Sequence, residues 1–313
     1  MRSTANRVER AMAAAAVAFA AMGAAPAAHG ALDCDRVSAA SLVATAPRAS
    51  APRVLALHGS VPIVTMEPFA AFLEAMGYPP ERLAHPADGA RTLSSFVDAR
   101  RFAGEIAWHY ERDGVMPVLV GHSQGGMVVI KALHELAGRS GDVPVYDPMA
   151  ARAEQRTWIV DPVDGRRRSV TALRVGFAAA LATGSLPRLL LAQWDVLPLL
   201  REVPDSVADF SGFAIPWDPI AGTGPDPAPF RATGRARVRN VVLPSAYSHV
   251  GLPDVAHLAR QPATRAWIDA WTPAAGAALP EGAKLDNLLL AADLWHGIKR
   301  QWCLSAQGGR PAS

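Results

Sequence analysis

A serine flanked by glycines lies in the middle of the chain, between two apolar segments. Residues 121–126 read Gly-His-Ser-Gln-Gly-Gly, so Ser123 is the centre of the pattern G-x-S-x-G. The apolar residues before it predict a buried strand, and residues 124–137 predict a buried helix. A serine in such a sharp turn presents its hydroxyl as a nucleophile, and glycines two residues to either side avoid a clash. We therefore predict that Ser123 is a nucleophile and that Gly121 and Gly125 build its turn.

A serine hydroxyl needs a neighbouring base to become nucleophilic, and the chain has nine histidines. His249 follows the predicted strand Val238–Leu243 in a short loop. A loop at the C-terminal end of the last strand of a parallel sheet can reach Ser123. We predict His249 as the base, with His257 as the alternative.

An acid must orient the histidine and stabilise its cation. Asp218 follows the predicted strand Phe210–Ile215, in a loop with flanking prolines, 31 residues before the predicted base. We predict Asp218 as the acid. Asp226, Asp161 and Asp164 are the alternatives, and each can also be an ordinary loop carboxylate.

The elements around these residues alternate between strands and helices. Residues 53–59 and Val115–Val120 predict buried strands. Residues 92–113 and about 284–302 carry apolar side chains at helical spacing. This alternation is typical of an α/β fold in which helices cover both faces of a parallel sheet.

The Gly-His-Ser-Gln-Gly-Gly string, in this element order, resembles the nucleophile turn of the α/β-hydrolase superfamily, in particular its secreted lipases and esterases. The resemblance covers most of residues 50–300, is strong around 115–137 and is weak across 139–210. It implies the chain order serine, acid, histidine on a mostly parallel sheet with helices on both faces. It also implies a helical cap or lid, which we expect as an insertion at about 139–209.

The same chemistry needs hydrogen-bond donors for the oxyanion that develops during acyl transfer. One donor is the backbone N–H of Gln124, directly after the nucleophile. The resemblance implies a second donor in the loop after the first strand, where His58-Gly59 precedes Ser60. We predict Ser60 for this role, with Val61 as the alternative.

A leucine-rich stretch lies inside the expected insertion, between the predicted nucleophile and the predicted acid. Residues 186–200 contain seven leucines and Trp194. Such a surface can accept an acyl chain, and it can equally be an ordinary pair of core helices.

The N-terminus has the layout of a secretory signal peptide. Three arginines precede an apolar segment at 11–25, and Ala-Pro-Ala follows at 25–27. The apolar segment is shorter than the roughly 20 residues of a spanning helix, although an uncleaved anchor is the alternative. We predict a signal peptide over 1–27, a hydrolase domain over 34–304, and a secreted or periplasmic location.

Cys34 and Cys303 are the two cysteines of the chain, near its two ends. In an exported protein an even pair is expected to be oxidised. A disulfide between them would contribute about 4–5 kcal/mol by loop closure. The alternative is two unrelated buried thiols.

The composition and charge of the chain argue against nucleic-acid binding. The chain has 313 residues, half of them apolar and 19% charged, so it can bury a large core. The net charge is +3, part of it from the N-terminal arginines, and no basic run is interleaved with aromatics. We therefore do not expect a nucleic-acid partner.

No sequence motif indicates a cofactor or a metal. Glu105 and His109 have the reverse order of the zinc motif HExxH, and no glycine-rich phosphate loop follows a strand. We therefore expect no cofactor and no metal. The expected partner is a small-molecule or lipid ester, with transient contact at a lipid interface, and the oligomeric state stays open.

These features predict an exported serine hydrolase that cleaves carboxylic esters. A thioesterase, an amidase or an acyltransferase would use the same three residues. A non-catalytic binding module on a hydrolase scaffold is the alternative from a different class. A dehalogenase is disfavoured, because it would carry aspartate at position 123.

Overall fold

The computed structural model describes residues 32–61, 63–184, 194–275 and 287–308. The predicted signal peptide therefore lies outside the described residues. The strands are β1 (Val54–Leu57), β2 (Val118–His122), β3 (Tyr146–Asp147), β4 (Arg152–Ala153), β5 (Trp158–Val160), β6 (Arg167–Ser169), β7 (Val175–Leu181), β8 (Glu202–Val203), β9 (Val207–Ala214), β10 (Arg231–Ala232) and β11 (Arg237–Val242).

The α-helices come between and after these strands. They are α1 (Ala39–Thr45), α2 (Glu67–Ala75), α3 (Ala99–Asp113), α4 (Gln124–Leu136), α5 (Pro262–Ala270) and α6 (Leu288–Ala306). Short 3-10 helices lie at Arg48–Ser50, Pro80–Arg82, Val170–Ala172, Trp194–Arg201, Ala256–Ala259 and Pro273–Ala275.

Five strands form a central sheet in the order β1-β2-β7-β9-β11, and every neighbouring pair is parallel. The fold is thus α/β with a central parallel sheet and helices, as the alternating pattern predicted. Because parallel strands all end at the same edge, the loops after these strands meet along one side of the sheet.

Alternate side chains of the sheet enter two separate cores. In β1, Val54 and Ala56 pack on one face, and Leu55 and Leu57 pack on the other. Helices α2 and α6 cover the first face, and helices α3 and α4 cover the second. Burial on both faces explains why these strands are nearly continuous apolar runs.

Helix α3 begins later than its sequence pattern predicted. The expected helix spanned 92–113, but the structure places its first residue at Ala99, after an Asp98 side chain that accepts a hydrogen bond from the N–H of Arg101 at 2.9 Å. Leu93 instead extends the edge of the sheet, because its N–H donates to the carbonyl of Ala56 at 2.7 Å.

The described part of the range 139–209, where we expected a helical cap, does not show one. The pairs β3–β4 and β5–β6 are antiparallel, and β7 is a central strand of the sheet. A fully buried parallel strand and a buried helix share the same apolar composition, so the sequence pattern did not separate them. Residues 185–193, most of the leucine-rich stretch, lie outside the described residues.

A disulfide joins Cys34 to Cys303, with their Cα atoms 5.4 Å apart. This confirms the predicted pairing. The bond ties the start of the described chain to the buried face of α6 across 269 residues of sequence. A disulfide fits an extracellular location. No helix within the described ranges is both long enough and apolar enough to cross a membrane.

Loss of this disulfide should destabilise the fold. Cys34→Ala removes the bond at its half-buried end and should lower the free energy of unfolding by about 2–5 kcal/mol, because the unfolded chain regains the freedom of a long loop. Thermal unfolding followed by circular dichroism measures the effect. A reducing agent should lower the wild-type Tm to that of the variant and leave the variant unchanged. Equal Tm values for the oxidised wild type and Cys34→Ala would contradict this account.

Candidate active site

Ser123 lies at the junction of β2 and α4 in a strained backbone conformation, with φ 52° and ψ −116°. Non-glycine residues rarely adopt a positive φ. The tight turn depends on the two flanking glycines. A Cβ atom at Gly121 would overlap the backbone of Gly125, and one at Gly125 would lie 2.5 Å from the carbonyl oxygen of Leu57. Glycine at position 121 therefore lets the turn close tightly, and glycine at position 125 lets it pack directly against the end of β1.

The structure brings Ser123, His249 and Asp218 together in one hydrogen-bonded chain. Oγ of Ser123 lies 3.0 Å from Nε2 of His249, and Nδ1 of His249 lies 2.6 Å from Oδ2 of Asp218. All three residues are buried. This is the arrangement of a nucleophile, a base and the group that orients the base.

Asp218 is held in place by its own loop. Its Oδ1 accepts hydrogen bonds from the N–H groups of Ile220 at 2.9 Å and Ala221 at 3.0 Å, which leaves Oδ2 for His249. Burial raises the pKa of this carboxyl, but the hydrogen bonds from His249 and the two N–H groups outweigh it, and the pKa is lowered overall. Asp218 is therefore ionised at neutral pH.

Thr223 stabilises the loop that contains Asp218, at the end of the loop away from β9. Its hydroxyl donates to the carbonyl of Ile215 at 2.6 Å and accepts the N–H of Asp218 at 3.0 Å. This role of Thr223 was not predicted from the sequence. A threonine five residues after the predicted acid was the available signal, since Ser and Thr hydroxyls often bond nearby backbone in loops.

His122, next to the nucleophile, supports the loop of the predicted base. Its Nε2 lies 2.8 Å from the carbonyl oxygen of His249. Burial and the nearby His249 lower the pKa of His122 to about 4. The ring is thus neutral at pH 7 and donates its Nε2–H to that carbonyl. This contact of His122 was not predicted from the sequence.

The predicted oxyanion donors lie on two neighbouring segments. Gln124 is the first residue of α4, so its N–H has no partner within the helix. Ser60 follows Gly59, and a Cβ atom at Gly59 would lie 3.1 Å from Cβ of Ser123, so this loop contacts the nucleophile. The Ser60 hydroxyl is buried and has no hydrogen-bond partner among the described residues.

Ser95 joins these two segments. Its hydroxyl donates to the carbonyl of Gly59 at 3.0 Å, and its own carbonyl accepts the Nε2–H of Gln124 at 3.2 Å. One residue therefore fixes both the loop after β1 and the side chain at the start of α4. Sequence reasoning did not single out Ser95.

The alternative residues lie elsewhere. His257 is exposed on the Ala256–Ala259 helix, and Asp226 is exposed in the loop before β10. Asp161 is buried, but its carboxylate bonds the Tyr110 hydroxyl at 3.1 Å and Arg168 at 2.8 Å, away from the hydrogen-bonded chain. Asp164 contacts the same arginine, with its Oδ2 atom 3.6 Å from Nη2 of Arg168.

The loops that carry the candidate site residues also carry exposed apolar side chains, close to those residues in sequence. The apolar rim, as we call this set, consists of Val61, Ile63, Phe96, Trp217, Ile220 and Val250. Trp217 precedes Asp218, and Val250 follows His249. The exposed apolar side chains of the rim thus lie on the same loops as the candidate site residues.

Among the described residues, His85, Glu105 and His109 form the group with the spacing of metal ligands. None of the three belongs to the hydrogen-bonded chain of Ser123, His249 and Asp218.

Comparison of the chain with protein-family models, with curated proteins and with solved structures finds no match.

Proposed function

We propose that this protein is a serine hydrolase of the α/β-hydrolase fold that cleaves carboxylic esters with apolar acyl groups. The observation that carries the proposal is the buried chain of hydrogen bonds from Ser123 through His249 to Asp218. Its nucleophile lies in a strained turn at the N-terminus of a helix. The helix N-terminus adds a partial positive charge where an oxyanion would form.

In the proposed first half-reaction, His249 accepts the proton of Ser123 at Nε2 while Oγ attacks the ester carbonyl. This requires the tautomer with hydrogen on Nδ1, which the ionised Asp218 selects at 2.6 Å. The N–H groups of Gln124 and Ser60 stabilise the oxyanion. The C–O bond to the alcohol then breaks, and His249 returns its proton to the departing oxygen.

In the proposed second half-reaction, a water molecule replaces the alcohol. His249 takes a proton from the water, whose oxygen attacks the acyl-enzyme carbonyl. The bond to Oγ of Ser123 breaks, and the proton on His249 passes to Oγ. The products are the free carboxylic acid and the original enzyme.

The apolar rim supports an apolar ester as the substrate. Burying an acyl chain against such side chains gains about 0.8 kcal/mol per methylene, so long-chain esters should bind better than acetates. The leucine-rich stretch would add to this surface as part of a cap, but most of it lies outside the described residues. The disulfide and the N-terminal sequence support an exported enzyme.

Removal of the nucleophile should abolish turnover without loss of the fold. Ser123→Ala should lower kcat on p-nitrophenyl esters by at least about 10⁴-fold, because no other group can form the acyl-enzyme. The assay covers acyl chains from acetate to palmitate, and circular dichroism checks folding. Ser245→Ala, an exposed serine after β11, is the matched control and should keep full activity. Comparable turnover by wild type and Ser123→Ala would exclude the mechanism. Absence of turnover on all esters would favour an amidase, an acyltransferase or a binding module.

Replacement of the acid should act through the histidine tautomer. In Asp218→Asn the oxygen of the amide should keep accepting from Ile220 and Ala221, and the NH₂ group would then face His249. His249 would carry its proton on Nε2, where it cannot accept from Ser123. We expect kcat to fall by about 10³–10⁴-fold. Asp226→Asn changes an exposed carboxylate of the same region and should leave kcat unchanged. The opposite ranking of the two variants would reassign the acid.

The effect on activity of removing the largest side chain of the apolar rim should depend on the length of the acyl chain. Trp217 is 68% exposed, so Trp217→Ala should preserve folding. It should lower kcat/KM for palmitate esters by about 10-fold, the equivalent of roughly two methylene contacts, with little change for acetate esters. Met149→Ala, in the turn between β3 and β4, removes a similarly exposed apolar side chain and should change neither value. An equal loss on both esters would remove the rim from the substrate site.

A further inference from the structure

A second group of functional side chains lies where helix α3 packs against the loop that precedes it. Glu105 and His109 are one turn apart on α3, and His85 comes from the loop. Glu105 and His109 are buried, with exposed fractions of 5% and 1%. The side chain of His85 is 11% exposed. One ligand atom from each residue falls within 4.8 Å of the others.

The distances between these ligand atoms are close to the distances between the ligand atoms of a bound small cation. Oε1 of Glu105 lies 3.2 Å from Nε2 of His85 and 3.8 Å from Nε2 of His109. In a tetrahedral zinc site with bonds of about 2.0–2.1 Å, two ligand atoms are about 3.3 Å apart. The two imidazole nitrogens lie within 4.8 Å of each other, so cation binding would draw the loop residue His85 towards His109.

His109 supplies an independent observation. Neither of its ring nitrogens has a hydrogen-bond partner in the part of the chain that the structure describes. Its Nε2 faces Glu105, but 3.8 Å is too long for a hydrogen bond. A buried imidazole with unused nitrogens costs free energy. A cation on Nε2 would use the lone pair that the fold leaves without a partner.

Asp88 lies on the other side of the His85 ring. Its Oδ1 is 3.3 Å from Nδ1 of His85, and the N–H of Ala90 donates to the same oxygen at 3.0 Å. Histidines that bind a metal through one nitrogen usually have a carboxylate or carbonyl at the other, which fixes the ring and its tautomer. Nδ1 of His85 makes no hydrogen bond to the described residues, so Asp88 would become such an outer carboxylate after a rotation of the ring.

We propose that His85, Glu105 and His109 bind a divalent cation of the zinc class, with water as the fourth ligand and Asp88 as the outer carboxylate of His85. Two imidazoles and one carboxylate suit zinc, whereas calcium and magnesium prefer oxygen ligands throughout. The proposal stands independently of the proposed hydrolase function. Glu105 and His109 do not form HExxH, and His85 lies 20 residues before Glu105, so no sequence motif indicated this site.

The cation would fasten the loop around residues 85–90 to α3. The same loop leads to Leu93, which pairs with the edge of β1 through the N–H of His58 at 3.1 Å. It then reaches Ser95, which holds Gly59 and Gln124 in the candidate active site. Zinc should therefore stabilise the fold and the loop that leads to the site.

Zinc titration of the chelator-stripped full chain, without an affinity tag, tests the site. Isothermal calorimetry should find one Zn²⁺ per chain, and Tm should rise by several degrees at zinc about 100-fold above Kd. His109→Ala and His85→Ala should weaken zinc binding by at least about 100-fold, and Asp88→Asn by about 10-fold. Co²⁺ in the same site should show the visible bands of a four-coordinate ion, and these should vanish in His85→Ala.

His134→Ala is the matched control. His134 is also a buried helix histidine, but its Nε2 lies 3.1 Å from the carbonyl oxygen of Glu202 and outside this group. The control should keep wild-type zinc affinity. If the buried His109→Ala variant does not fold, the loop variants His85→Ala and Asp88→Asn decide the question. No zinc binding by the wild type, or equal affinity in the wild type and His85→Ala, would overturn the proposal whether or not the protein hydrolyses esters.

Discussion

The strained backbone of Ser123 is the constraint on which the surrounding structure depends, because neighbouring segments must hold it in this conformation. A non-glycine residue in such a conformation costs about 1–3 kcal/mol and persists where the surroundings fix it. Here the N–H of Ser123 donates to the carbonyl of Leu181 at 2.8 Å, and the hydroxyl of Thr183 donates to the carbonyl of Ser123 at 3.3 Å. Both partners come from β7 or the residues just after it, so the neighbouring strand holds the turn in place. The missing side chain of Gly125 lets the end of β1 approach from the other side, and the missing side chain of Gly121 leaves room for Gly125 itself.

The parallel sheet brings the remaining groups to this turn. Strands β9 and β11 end at the same edge as β2, so the loops that follow them carry Asp218 and His249 to Ser123. Each of these loops is fixed by contacts of its own, from Thr223 to the loop of Asp218 and from His122 to the loop of His249. The geometry of the site is therefore determined by the sheet edge and then refined by polar contacts within loops.

Two long-range connections would support this arrangement from outside the site. The disulfide between Cys34 and Cys303 holds the N-terminal segment to α6, which covers one face of the sheet. The proposed cation would hold the loop around His85 to α3, which covers the other face. The disulfide restricts the freedom of one segment, and the proposed cation would restrict that of another. Such ties stabilise loops in particular, because loops have few buried apolar contacts.

The sequence by itself was sufficient to predict the residues of the hydrogen-bonded chain, the parallel sheet with its helices, and the disulfide pair. These features depend on local patterns and chain order: a glycine-flanked serine between strand and helix, polar residues just after apolar strands, and two cysteines near the ends. The tertiary structure alone decided the start of α3, the strand β7 within the expected cap, and the roles of His122, Thr223 and Ser95. It also brought His85 to Glu105 and His109. Each of these depends on contacts between residues distant in sequence or on backbone hydrogen bonds, and neither leaves a periodic trace in the chain.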